Sequence, residues 1–174
     1  MHMMETWVVN LENERHRWDT IREHLSGWGI TDPYRFNAIP PNHDEMPVWK
    51  GLVRTNVPKK MAIARTYLSL AQNLEQRDAD RFLVIQDDVR FTADPHREFT
   101  RPMHLYGGYR IRGRGMEIWF EPHIHPWAFT IARDFVPALR SALTNPDRQV
   151  CELWCRLIRP EDVTYDNPAT AEAT

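Results

Sequence analysis

The sequence predicts one α/β domain built on a mixed, mostly parallel sheet. Short apolar, β-branched runs alternate with longer segments of helical period through the first half, the pattern of parallel strands joined by crossover helices. The length of 174 residues is that of one domain and suffices to bury a core. Apolar residues are 42% and charged residues 26% of the chain, which excludes disorder as a description of the whole.

The elements follow in order. Thr6-Trp7-Val8-Val9-Asn10-Leu11 is short, β-branched and aromatic, and reads as a buried strand. From Glu12 to Leu25, Trp18, Ile21 and Leu25 recur on one helical face, and Ser26-Gly27 with Gly29 stops the helix. Arg35-Phe36-Asn37-Ala38-Ile39 is a second strand, closed by Pro40-Pro41. Residues 40–58 read as a loop. Lys59 to Gln76 has helical period through Met61, Ala64, Leu68, Ala71 and Leu74. A turn at Asp78-Ala79-Asp80 leads into Arg81-Phe82-Leu83-Val84-Ile85, the clearest strand. The second half is less regular. Residues 106–115 are glycine-rich loop or hairpin, Glu117–Phe120 and Trp127–Ile131 read as strands, and Asp134–Leu143 reads as a helix with Pro137 in its first turn. The domain is expected to span 1–161, and the polar tail 162–174 is expected to fray.

Composition narrows the function classes. A net charge of −2 supplies no global basic field for nucleic acid or an anionic membrane. No apolar run approaches the roughly 20 residues needed to span a bilayer, and Met1 to Asn10 lacks a signal-peptide pattern, so a cytoplasmic, reduced protein is expected. Cys151 and Cys155, one helical turn apart, read as core packing rather than as a disulfide or zinc framework. Only three of the 22 basic residues are lysine, a bias of base composition or a preference for phosphate, which arginine grips bidentately.

In parallel sheets ligands bind beyond the carboxyl ends of the strands. Asp87 and Asp88 stand at one such end, and adjacent carboxylates repel unless a positive group sits beside them. Either a divalent cation on a diphosphate fills that role, or one aspartate caps a turn and the other is solvated. Asn10 to Arg17 stands at another strand end, where Arg15 and Arg17 beside a helix start make an anion site or a solvated face. His123 and His125 alternate in an extended segment and either complete a metal or phosphate site or end a strand. Arg110, Arg112 and Arg114 either contact a phosphate backbone or decorate an exposed hairpin. Trp49 or Trp127 is placed to stack on a sugar ring, or anchors a loop. The sequence has no P-loop, no G-x-G-x-x-G after the first strand and no G-x-S-x-G elbow.

Taken in order, these pieces resemble glycosyltransferase family 25, the lipooligosaccharide and collagen galactosyltransferase-like group. The resemblance rests on Val8-Val9-Asn10-Leu11 with Arg17, on Arg35-Phe36-Asn37-Ala38-Ile39, and on Leu83-Val84-Ile85-Gln86-Asp87-Asp88-Val89. It continues in Leu105-Tyr106-Gly107-Gly108 and Ala128-Phe129-Thr130-Ile131-Ala132-Arg133, so that it covers roughly residues 5 to 145. The resemblance implies a Rossmann-like A-type glycosyltransferase domain that takes a nucleotide-diphosphate sugar. It implies Mn²⁺ or Mg²⁺ at Asp87 and Asp88 and a nucleotide pocket lined by Asn10, Leu11 and Arg17; His125, just before the aromatic strand, is the candidate for a third metal or phosphate contact, a position that the family's motif does not fix. For the acceptor base it offers Glu152 first and Asp147 second. The acceptor is a glycan, a protein or a modified DNA base, the last held through Arg110, Arg112 and Arg114. Two departures stand out. Gln86 replaces an acidic residue, and Arg65-Thr66 replaces a Ser-His pair. They fit a streamlined enzyme of the kind compact phage genomes carry, or a non-catalytic nucleotide-sugar-binding module. The remaining alternative is a metal-dependent nucleotide hydrolase or phosphotransferase on a similar sheet.

Overall fold

A computed structural model describes residues 3–42, 57–89, 91, 109–113, 116–120, 126–144 and 164–166. Strand β1 (Met4–Asn10) leads to helix α1 (Arg15–Ser26), β2 (Tyr34–Asn37), α2 (Val57–Leu74) and β3 (Arg81–Gln86). Then come β4 (Tyr109–Gly113), β5 (Met116–Phe120), β6 (Pro126–Ala132), a single 3₁₀ turn over Arg133–Phe135, α3 (Val136–Thr144) and β7 (Thr164–Asp166).

The strands form one seven-stranded mixed sheet in the order β2-β1-β3-β6-β5-β4-β7. The α/β class is as the sequence predicts. Parallel pairing joins β1 to β2 and to β3, the strands linked through α1 and α2. β6 enters antiparallel beside β3, with Val84 opposite Phe129, and β5, β4 and β7 continue antiparallel. β4, β5 and β6 follow one another through short connections and so turn back on themselves, whereas each parallel pair is reached by a crossover of a dozen residues or more.

Both faces of the central strands are covered, which explains why they read as unbroken apolar runs. Side chains alternate along a strand. Trp7, Val9, Phe82, Val84, Phe129 and Ile131 therefore join the core shared with α2 and α3. Val8, Leu83, Ile85 and Ala128 join Ile21 and Leu25 of α1 on the opposite face.

Helix ends follow local chemistry. α1 begins at Arg15 rather than Glu12, because the chain first makes a turn in which Glu14 N–H donates to Leu11 O at 2.9 Å. It closes as a Schellman motif. Gly29 adopts φ +81°, Ile30 N–H donates to Leu25 O at 3.0 Å and Gly29 N–H to Ser26 O at 2.9 Å. Ile30 and Leu25 share the α1-side core, the apolar contact that accompanies this motif. α2 starts two residues ahead of Lys59, with Pro58 in its first turn. The helix read from Asp134 is split, and its first residues form the 3₁₀ turn.

Thr164–Asp166 pairs with β4, Tyr165 facing Ile111 in the register, where the polar composition from Asp162 predicts fraying. Thr and Tyr favour strands, and an open sheet edge offers unpaired N–H and C=O groups to any nearby extended segment. The glycine-rich segment around Arg110–Arg112 is a hairpin strand, with Gly113 opposite Met116. Among the described residues no helix is long and apolar enough to cross a membrane.

Candidate functional site

The parallel strands β1 and β3 run side by side with Val9 opposite Gln86, so their carboxyl ends present Asn10 and the Gln86-Asp87-Asp88 segment at one edge. Asn10 is 1% exposed and all its hydrogen-bonding capacity is used. Its Oδ1 accepts from Arg35 Nε at 2.9 Å and Arg35 Nη2 at 2.6 Å. Its Nδ2 donates to Asp87 Oδ2 at 2.6 Å and to Glu14 O at 3.1 Å. The acidic motif, the β1–α1 turn and β2 are thus tied together through one carboxamide.

The two aspartates differ. Asp87 is buried and Asp88 is exposed. Arg17 Nη1 lies 3.8 Å from Asp87 Oδ1, and Arg17 Nε lies 3.6 Å from Glu14 Oε2. The Arg17 side chain is 49% exposed, so these are screened pairs contributing about 0–1 kcal/mol each. Burial holds the Asp87 carboxyl above the usual carboxylate value; the Asn10 amide and Arg17 pull the other way, and Asp88 adds to the rise. The positive neighbour expected beside this pair therefore includes Arg17 as well as any cation.

A cleft of about 320 Å³ opens here, at the lower end of the range for small-molecule sites. Leu11, Ala38, Ile39 and Ile63 give it apolar walls, while Arg17, Lys59, Asp87 and Asp88 line the same space. Thr66 fixes one wall, since its Oγ1 donates to Ala62 O at 2.7 Å and accepts Ile39 N–H at 2.9 Å. Tyr67 also lines the cleft, and its hydroxyl accepts from Gln86 Nε2 at 3.3 Å. Burial, with smaller contributions from Asp88 and Asp87 and against the Gln86 contact, pushes the Tyr67 phenol up to about 12, so it is neutral at physiological pH and no general base. Gln86, where the resemblance expects an acid, thus donates to a phenol oxygen. Beyond Val89 the chain is held to α1, where Phe91 N–H donates to His24 Nε2 at 2.8 Å.

A larger recess of about 540 Å³ lies at the amino end of β3, lined by Asp80, Arg81, Arg133 and Asp134. It is at the opposite end of the strand from Asp87, and Arg133 there faces Asp78 at 3.5 Å.

With this geometry in view, comparison with known proteins finds no matching family model. Over 94 residues the chain is 28% identical to proteins named sulfate adenylyltransferase subunit 2. These come from Methylorubrum extorquens (strain PA1) and Methylorubrum populi. The match covers 51% of this chain and 28% of each relative, so the chain spans well under half the length of those relatives. The similarity is thus to part of a transferase subunit.

Of the residues read from sequence, Asn10, Leu11, Arg17, Asp87 and Asp88 converge at this edge. His125, Asp147, Glu152 and Arg114 lie outside the described residues, as do His123, Cys151, Cys155 and Trp49. Arg110 and Arg112 occupy alternate positions of β4, three strands from β3 and so about 14 Å across the sheet. Among the described residues no group of three or more His, Cys, Asp or Glu is placed to hold a metal. Sequence reasoning missed Arg35 and Lys59 as site residues. Lys59 carried a faint signal, as one of three lysines in an arginine-rich chain at the start of a helix. Arg35 carried none.

The raised Asp87 carboxyl has a measurable consequence. A carboxyl that binds its proton more tightly folded than unfolded gives stability that is full below the unfolded value and lost as pH rises through the folded value. The urea midpoint of the wild type is expected to fall as pH rises just above the ordinary carboxylate range. In Asp87→Asn that component is absent, and the midpoint at neutral pH equals or exceeds wild type. Parallel pH profiles for the two proteins would show that burying this carboxylate carries no cost.

Proposed function

We propose that the protein is a metal-dependent glycosyltransferase that moves a sugar from a nucleotide-diphosphate donor to a hydroxyl acceptor. The observation that carries this reading is the pairing of opposite charges in one cleft. Asp87 and Asp88 line it together with Arg17 and Lys59, beside apolar walls suited to a nucleoside. A diphosphate needs both signs: cations on its oxygens, and carboxylates for the divalent ion it carries. The resemblance to glycosyltransferase family 25 supplies the sugar.

Mn²⁺ or Mg²⁺ fits these donors. Such ions are held by one or two protein carboxylates plus substrate phosphates, so a third protein ligand is not required. Asp88, exposed at the cleft, and Oδ1 of Asp87 would hold it. Bound there, the ion would neutralise charge on the departing nucleoside diphosphate. Arg17 and Lys59 grip the phosphate oxygens, and Leu11, Ala38 and Ile39 exclude water from one side of the donor. Glu152 or Asp147 deprotonates the acceptor hydroxyl, and Arg110, Arg112 and Arg114 contact phosphates where the acceptor is a base in DNA.

A second reading is favoured by the relatives. Similarity to part of proteins named sulfate adenylyltransferase subunit 2 supports nucleotide transfer without a sugar as that reading. Calorimetry separates the two. Nucleotide-diphosphate sugars and ATP are each titrated with and without Mn²⁺. One sugar nucleotide binding only with Mn²⁺ is the expected result. Binding of ATP alone would transfer the site to the second reading, and heat from neither would sink both.

A further inference from the structure

We propose that Arg35 is a positioning residue: it fixes the orientation of the Asn10 carboxamide and, through it, holds the Asp87 carboxylate at the mouth of the cleft. Its functional consequence rests on the nucleotide-binding reading above. The geometry itself does not.

An asparagine side chain has two orientations of nearly equal shape and opposite hydrogen-bonding sense. Here only one is allowed. Arg35 aims two donors, Nε at 2.9 Å and Nη2 at 2.6 Å, at a single atom of Asn10. That atom must be the oxygen, because a guanidinium has no acceptor. The amide nitrogen then faces two acceptors, Asp87 Oδ2 at 2.6 Å and Glu14 O at 3.1 Å. The reverse orientation would set an N–H₂ against the guanidinium and an oxygen against a carboxylate, two repulsive contacts inside a residue that is 1% exposed.

Arg35 is itself held from several sides. Its Nη2 donates to Leu11 O at 3.2 Å and Glu12 O at 3.1 Å, and its guanidinium lies 5.8 Å from the centre of the Trp18 ring. One planar fork therefore sets the β1–α1 turn and the Asn10 amide together. A lysine ammonium, a point charge on a flexible stem, cannot reproduce both contacts on Oδ1. Asp87 then has one oxygen committed to Asn10 and one facing Arg17 and the cleft.

The test reads the Asn10 side-chain amide in ¹⁵N NMR spectra, identified by its loss in Asn10→Ala, alongside Mn²⁺-dependent binding of adenosine, guanosine, cytidine and uridine diphosphates by calorimetry. In the wild type, an amide donating to a carboxylate gives a downfield, exchange-protected proton. In Arg35→Met that proton is expected to move upfield and lose protection, with affinity falling roughly 10- to 100-fold, as for other residues that orient a ligand. Arg35→Lys is expected to fall between the two. If Arg35→Met does not fold, Arg35→Lys carries the test alone. An unmoved amide proton in either folded variant overturns the proposal. A moved proton with unchanged affinity overturns its link to the cleft. If the wild type binds no nucleotide, the functional reading falls, and the amide spectrum still decides the role of Arg35.

Discussion

Asp88→Asn is expected to abolish Mn²⁺-dependent binding of the sugar nucleotide while leaving the fold intact. The two effects separate because Asp88 is exposed at the cleft and Asp87 is buried behind it. Losing a residue that merely orients a metal ligand weakens a site by about 10- to 100-fold. Removing the charge of a ligand itself is expected to exceed roughly 100-fold. An exposed substitution away from the core changes stability by less than about 0.5 kcal/mol. For a chain of this size that is a Tm shift under about 2 °C. Calorimetry with Mn²⁺ and donor, paired with a melting curve, reads both. A variant that binds as wild type does would remove Asp88 from the site. Loss of binding together with a large fall in Tm would instead assign Asp88 a structural role.

The position of that motif was legible because β3 is an apolar run with a sharp polar end, and the carboxyl ends of parallel strands are where such sheets bind ligands. Asn10 was legible for the same reason, as the polar end of β1. Its partner was not. Arg35 reaches Asn10 sideways across the sheet, in a register that sets Val8 opposite Arg35 and Asn10 opposite Asn37. Periodicity along one strand carries no information about which residue of another strand lies beside it. The direction of β6 was hidden for a related reason: β3 and β6 have equally apolar runs, and burial on both faces erases any trace of strand sense. β7 was missed because a strand of three residues in a polar segment is too short to leave a pattern. Tyr67 was read past as part of a helix, since only the fold brings Gln86 to its hydroxyl.

Phe129→Ala is expected to be the most damaging single change to stability described here. Phe129 is 1% exposed and lies opposite Val84 at the centre of the sheet, on the face covered by α2 and α3. Truncating a buried phenylalanine costs about 3–5 kcal/mol, the lost transfer energy plus that of the cavity left behind. Against a total stability of about 5–15 kcal/mol that is a large fraction, and the Tm is expected to fall by about 10 °C. Phe129→Leu, which keeps most of the volume, should cost far less. The damage also reaches the cleft. The Phe129 ring sits 6.0 Å from the Tyr67 ring at a tilt of 58°, and Tyr67 is the residue whose hydroxyl receives the Gln86 amide beside Asp87. Denaturant titration of the three proteins measures the first effect, and donor affinity of the folded fraction measures the second. A cost below about 1 kcal/mol for Phe129→Ala would mean that the ring does not fill the space between sheet and helices. An unchanged donor affinity in the folded variant would mean that Tyr67 keeps its place without the ring beneath it.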